Sequence, residues 1–171
     1  MAFAFPPAAW ANQDLELYHG TTLKAANAIA SQGIALPLCS SLTDFGKGFY
    51  TTTLQRQAIT WAYTRAAIVG GKPAYLSYRV NRDALSGLET LFFVRGSFDA
   101  DDYWSLVFHC RSGNPGHRSA GPLPFYDVVV GPVAAFWQQR LAIQDVDQVS
   151  FHTQIGIDLL SESIKGGPVI C

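Results

Sequence analysis

The stretch Thr43–Thr53, T-D-F-G-K-G-F-Y-T-T-T, constrains the fold of this chain more than any other. Gly46 and Gly48 flank Lys47 and are followed at once by Phe49, Tyr50 and a run of threonines, residues that favour extended backbone. A glycine turn therefore feeds a strand. Glycine allows positive φ and close approach to the main chain, so such a turn can lie under a flat or anionic ligand. Lys47 faces either phosphate oxygens or solvent. Upstream, Leu15–Tyr18 reads as a first strand that delivers His19 and Gly20 at its end.

Thr22 is placed to cap a helix in which Leu23, Ala26 and Ile29 recur at helical spacing through Gln32, and Gly33 supplies the stop. Ile34–Leu42 reads as extended chain and loop. Thr52-Thr53-Leu54-Gln55 matches a capping box and predicts a second helix ended by Gly70-Gly71. Pro73–Val80 alternates as a strand, and Leu88–Val94 reads as another. Asp99 is expected to cap a third helix with Trp104, Phe108 and Arg111 on one face. Ser112–Pro124 is a long loop, with charge concentrated at Arg111, His117 and Arg118; long loops tend to be functional. Tyr126–Val133 predicts a buried strand, Ala134–Leu141 a helical turn and Val146–Phe151 a strand. A terminal helix over 155–161 and a last extended piece, Gly167–Cys171, complete the chain. Short strands dominate and the class is α+β.

With 171 residues, 49% hydrophobic and 15% charged, one domain with a substantial interior is expected over 14–171, behind an irregular arm, 1–13, that carries Trp10. A net charge of -1 gives no general electrostatic footprint for nucleic acid. Cys39, Cys110 and Cys171 form no C-x-x-C pair, and no histidine stands at metal-ligand spacing from them, so a reduced compartment and no metal are expected. The N-terminus has no basic region and is interrupted by Pro6-Pro7, and no apolar run is long enough for a bilayer. The expectation is a cytoplasmic protein without a membrane partner; delivery by a dedicated secretion machine would leave no mark.

Taken together, L-Y-H-G-T-T, a helix ending in glycine, and D-F-G-K-G-F-Y resemble the NAD-binding half of the diphtheria-toxin-like and poly(ADP-ribose) polymerase group of ADP-ribosyltransferases. The signature of that group is a strand ending in H-G-S or H-G-T, a helix, and F-G-K-G-I-Y. The resemblance implies a split antiparallel β-sandwich with helices packed on its sheets, and NAD as co-substrate with no metal. It implies that His19 hydrogen-bonds the adenosine ribose, that the main chain of Gly20 holds the nicotinamide carboxamide, and that Thr21, Gly46, Lys47 and Gly48 line the dinucleotide. Tyr50 would stack on nicotinamide, an aromatic face against a cationic ring contributing about 1–2 kcal/mol when water is excluded. Trp61 stands where the polymerase branch has its second stacking tyrosine, and it equally fits the apolar face of its helix.

The family's third element is an acidic residue on a later strand, and here the best positional match is Gln148, in D-Q-V-S-F-H-T. A set of bacterial domains of unknown function resembles this chain throughout, sharing D-F-G-K-G-F-Y, Y-D-V-V-x-G-P-V and Q-x-S-F-H-T; some are associated with toxin-antitoxin pairs. On that resemblance the triad is His19, Tyr50 and Gln148. Loss of nicotinamide discharges a pyridinium, so no strong general acid is needed; an acceptor on the ribose 2'-hydroxyl suffices. Glutamine supplies an oxygen without charge, which suits single transfer rather than polymer growth. Asp145 and Asp147 are the nearest carboxylates in sequence, though alternation turns Asp147 to the opposite face. Asp127 is expected to cap or pair locally, and His109, His117 and His152 to have structural roles.

The function expected is mono-ADP-ribosyl transfer from NAD to a macromolecular acceptor, a protein rather than nucleic acid, in the setting of a toxin with an antitoxin or immunity partner. NAD hydrolysis, with water as acceptor, uses the same pocket. A catalytically silent module that binds NAD-like ligands or a protein is the reading that glutamine at the acidic position motivates.

Overall fold

The computed structural model describes residues 13–94, 100–117 and 124–171. The expected arm apart from residue 13, the Asp99 cap and Arg118 lie outside them. The architecture is α+β, with small sheets and helices interleaved along the chain.

Strand β1 (Leu15–Thr22) pairs antiparallel with β3 (Pro73–Val80), which pairs antiparallel with the short terminal strand β9 (Val169–Ile170). A second sheet runs in the order β2 (Phe49–Thr51), β8 (Gln148–Phe151), β5 (Val128–Gly131), β4 (Thr90–Phe92). Its β4 and β5 are parallel, so the expected wholly antiparallel arrangement holds only for the other pairs. A hairpin of β6 (Ala134–Phe136) and β7 (Leu141–Ala142), with a 3-10 turn at Trp137–Gln139, replaces most of the helical turn expected there.

Helix α1 (Leu23–Gln32) starts where Thr22 Oγ1 accepts from Ala25 N–H and ends at Gly33, whose φ of 83° is left-handed. Helix α2 (Gln55–Val69) ends at Gly70, but its N-cap is Leu54, with no side-chain cap. The capping box fails because Thr52 Oγ1 is drawn instead to Asp147 Oδ1, 2.6 Å away. A short helix α3 (Arg82–Ser86), capped by Asn81, was not expected from the sequence. Helix α4 (Ala100–Arg111) buries Tyr103, Trp104, Val107 and Cys110, while Phe108 lies half-buried against Trp137. Helix α5 (Gln154–Glu162) is capped by Thr153.

Two hydrophobic clusters result. The first lies between the sheets and under α5, where Leu17, Leu76, Tyr78, Phe49, Val149, Phe151, Ile157 and Leu160 meet. The second lies on the other face of the four-stranded sheet, where α4 covers Phe45 and Val129.

Candidate functional site

The two sequence motifs meet at the edges of β1 and β2. Tyr18 and Thr52 exchange both main-chain bonds, N–H to carbonyl at 2.8 and 3.0 Å. Main-chain groups alternate sides along a strand, so those of Gly20 point to this same edge, away from β3. The outer edge of β3 agrees, because Arg79 N–H bonds Ser163 and Ser77 accepts from Lys165, which leaves Tyr18 and Gly20 opposite non-bonded partners, Ser77 and Tyr75. Continued past the bridge, the antiparallel register sets Gly20 opposite Tyr50. There the main-chain pairing of the described residues stops, and His19 reaches across to β2.

His19 Nδ1 lies 2.7 Å from the Tyr50 carbonyl, which can only accept, so Nδ1 carries the proton and Nε2 keeps its lone pair. The imidazole stacks on Phe49 with centroids 4.2 Å apart. Burial, opposed by that hydrogen bond, pushes its pKa down to about 4, so the ring is neutral at pH 7 and Nε2 can only accept. Gly20 is needed for a close approach: a Cβ there would stand 1.9 Å from the Ala58 carbonyl of α2. Thr21 is buried beside it, opposite Ala74 of β3.

The ring of Tyr50 turns to the opposite face of β2 from Phe49 and His19, so His19 touches the main chain of Tyr50 and not its phenol. That phenol is held by the glycine turn: its hydroxyl accepts from Phe45 N–H at 2.9 Å, donates to the Gly46 carbonyl at 2.8 Å and lies 2.8 Å from Thr43 Oγ1. Burial, ahead of those bonds, raises its pKa well above the ordinary tyrosine value. As a residue Tyr50 is half-buried. Gly46 has φ 76° and packs over Cys110. Gly48 is required because a Cβ there would lie 2.5 Å from His152 Nδ1. That nitrogen lies 2.8 Å from the Lys47 carbonyl and donates to it, so Nε2 accepts from Ser150 Oγ at 2.8 Å. His152 thus pins the turn to β8, the structural role expected of it. The side chain of Lys47 is exposed.

Gln148 faces the same side of the sheet as Tyr50, one position diagonally across β8. It is buried, and its Nε2 donates to Asp44 Oδ2 at 2.8 Å and to the Pro132 carbonyl at 2.7 Å. Both partners are acceptors, which fixes the amide nitrogen on that side and leaves Oε1 on the other, with no bond from any described residue. Asp147 turns away, as alternation requires, and receives Thr52 Oγ1, Thr53 N–H and the Thr53 hydroxyl. Asp145 is exposed at a left-handed φ of 55°. The carboxylate bonded to Gln148 is Asp44, which in the sequence reads only as part of a turn, because its partners come from distant segments. Its Oδ1 takes two bonds from Arg111, at 2.6 and 2.9 Å, and its Oδ2 takes Ala134 N–H at 2.8 Å.

Trp61 does not join this group. It stands 57% exposed on α2, and its indole meets none of the other described rings. Asp127 ties three segments together, accepting from Glu89 N–H at 2.9 Å and from Thr153 Oγ1 at 2.5 Å. His117 packs edge-on to His152, at 4.5 Å between centroids, with its Nε2 buried and unbonded. A cavity of about 230 Å³ bounded by Ile34, Tyr78 and Ile164 shares none of the site residues. Among the described residues no cluster of three or more histidine, cysteine or acidic side chains is placed to hold a metal, and no helix is long and apolar enough to cross a membrane.

No curated protein matches the chain. A family model, described as a protein of unknown function (DUF3990), matches residues 15–137. The match takes in both motifs, the glycine turn and Asp44, and stops before β8 and Gln148. Spanning well over half of the sequence, it shows that the chain belongs to this family of proteins, DUF3990.

Proposed function

We propose that this protein is an ADP-ribosyltransferase of the split-sandwich kind, which cleaves NAD at the nicotinamide-ribose bond and passes ADP-ribose to a macromolecular acceptor. The observation that carries the reading is that main-chain pairing between β1 and β2 stops, among the described residues, at the Tyr18–Thr52 bridge, with His19 bonded across to the Tyr50 carbonyl and the main chain of Gly20 on the same edge.

The N–H and C=O of Gly20, unbonded among the described residues, complement a primary amide, which offers one acceptor and one donor on one edge. Nicotinamide is such an amide. Held there, its ring can lie against the phenol face of Tyr50, while the neutral Nε2 of His19 accepts a ribose hydroxyl. Oε1 of Gln148 accepts the 2'-hydroxyl as the glycosidic C–N bond breaks. The bonding pair leaves with nicotinamide, which departs neutral; the acceptor's lone pair then closes on C1' and its proton passes to solvent. Negative dipoles aimed at the cationic ribose lower the barrier. An uncharged acceptor at 148 supports one transfer rather than chain growth. A toxin held in check by an antitoxin or immunity protein is the setting this activity suits.

Labelled NAD incubated with the protein and a cell lysate is expected to label a discrete acceptor, and His19→Ala is expected to abolish the labelling. Absence of labelling in every lysate at every protein level refutes transfer. Nicotinamide release that lysate does not change, with no labelled acceptor, reassigns the site to NAD hydrolysis.

A further inference from the structure

In the resembled transferases the third position is a carboxylate; here it is an amide, and the amide is bonded to a buried carboxylate. Asp44 is 2% exposed, and its charge is answered by Arg111 from α4. Ala134 N–H and Gln148 Nε2 fill its second oxygen. With the Pro132 carbonyl taking the remaining N–H of Gln148, both amide protons are committed to acceptors. A glutamine side chain in water rotates freely between oxygen-out and nitrogen-out states. Here only one is allowed, because the flipped amide would set Oε1 against a carboxylate and a carbonyl. Donation to an anion also draws electron density toward the amide oxygen and strengthens it as an acceptor, since linked hydrogen bonds polarise one another.

We infer that Asp44 is a positioning residue: it locks the Gln148 amide with Oε1 outward and lends that oxygen part of the negative character a glutamate would carry. The carboxylate of the site is thus displaced one hydrogen bond back, onto the turn that also holds Tyr50. This rests on the transferase reading for what Oε1 accepts, though not for the amide's orientation. It also reverses the obvious expectation for Gln148→Glu. Replacing Nε2 by oxygen sets the introduced carboxylate within hydrogen-bonding distance of two acceptors, Asp44 Oδ2 and the Pro132 carbonyl, with no proton between them. The new carboxyl must take up a proton or swing away, so glutamate is not an improvement at this position.

The test compares wild type, Asp44→Asn and Gln148→Glu, each checked for native circular dichroism. Nicotinamide release from NAD is measured alongside carbon-13 titration of side-chain carboxyls. Asp44→Asn is expected to lower kcat about tenfold or more with KM for NAD nearly unchanged. Gln148→Glu is expected to turn over more slowly than wild type at pH 7, with its new carboxyl titrating well above the ordinary value of about 4.3. Gln148→Glu more active than wild type, or its introduced carboxyl titrating in the ordinary range, overturns the inference. So does a folded Asp44→Asn with unchanged kcat. If wild type itself neither binds nor cleaves NAD, the transferase reading is lost, and the carboxyl titration of Gln148→Glu alone then decides whether Asp44 orients the amide. Should Asp44→Asn not fold, Gln148→Glu carries the decision.

Discussion

The two faces of the four-stranded sheet are built to different rules. Toward the three-stranded sheet, Val128, Val149 and Phe151 are packed side by side, and each is at most 2% exposed; the polar side chain beside them, Thr51, is satisfied by the Val149 carbonyl. Toward α4 and the glycine turn, hydrophobic side chains alternate with hydrogen-bonded polar groups: Phe45 beside Asp44, Val129 beside Ser150, Tyr50 beside His152. A buried polar network seldom outdoes well-packed hydrocarbon in stability, and it must be fully satisfied to be tolerated. The first face therefore accounts for the fold holding together, and the second for where particular atoms stand.

Neighbours on β8 give the sharpest contrast. Phe151→Ala opens a cavity in the first cluster and is expected to cost about 3–5 kcal/mol, read as a drop in the urea midpoint. Ser150→Ala, one residue away on the other face, removes the hydroxyl that meets His152 Nε2 and the Val129 carbonyl and is expected to cost about 1–3 kcal/mol. Equal losses would erase the distinction between the faces.

Acid should attack the polar face first. Burial holds His152 down to about 3 and His117 to about 4, with the neighbouring ring adding to the depression of His152, and His19 at the seam stands at about 4. These pKa values lie below the unfolded one, so protons bind the unfolded chain more readily. Stability is complete well above pH 6.5 and falls as the pH drops toward 4, the well-buried His19 and His152 each removing on the order of 2 kcal/mol by about pH 5 and the more exposed His117 less. His152→Gln should flatten that fall; an unchanged acid profile in the variant would show that the charge is accommodated. At the small end, Arg140→Ala breaks an ion pair with Asp101 in which both side chains are mostly exposed, and no change in the urea midpoint is expected. A measurable loss there would give the surface a share now assigned to the two cores.

The same contrast governs what the sequence reveals. β3 occupies Pro73–Val80 as predicted, because an alternating strand announces its own burial, and α1 runs from Thr22 to Gly33 because both caps are local. His19, Gly20 and the glycine turn were legible as paired motifs, and the structure brings them edge to edge. The polar face was not legible, because its bonds span the chain. Thr52 looks like a helix cap until Asp147 arrives to take its hydroxyl. Asp44 looks like a turn former until Arg111, Ala134 and Gln148 converge on it from three later segments. Trp61 sits where a stacking ring was expected, yet the helix turns Ala58 and Ala62 inward against Gly20 and leaves the indole outside. The parallel pairing of β4 with β5 depends on a crossover that no local pattern encodes.

Between β1 and β2 the described main chain makes a single reciprocal bridge, at Tyr18 and Thr52. No ladder holds the two sheets at a set spacing beyond it. Behind the bridge the space is filled by rings, His19 on Phe49 and Phe49 against Tyr78. A smaller side chain at Phe49 or Tyr78 would thin that filling and let the two strands settle closer, so the width of the seam is set from the interior and not from its rim.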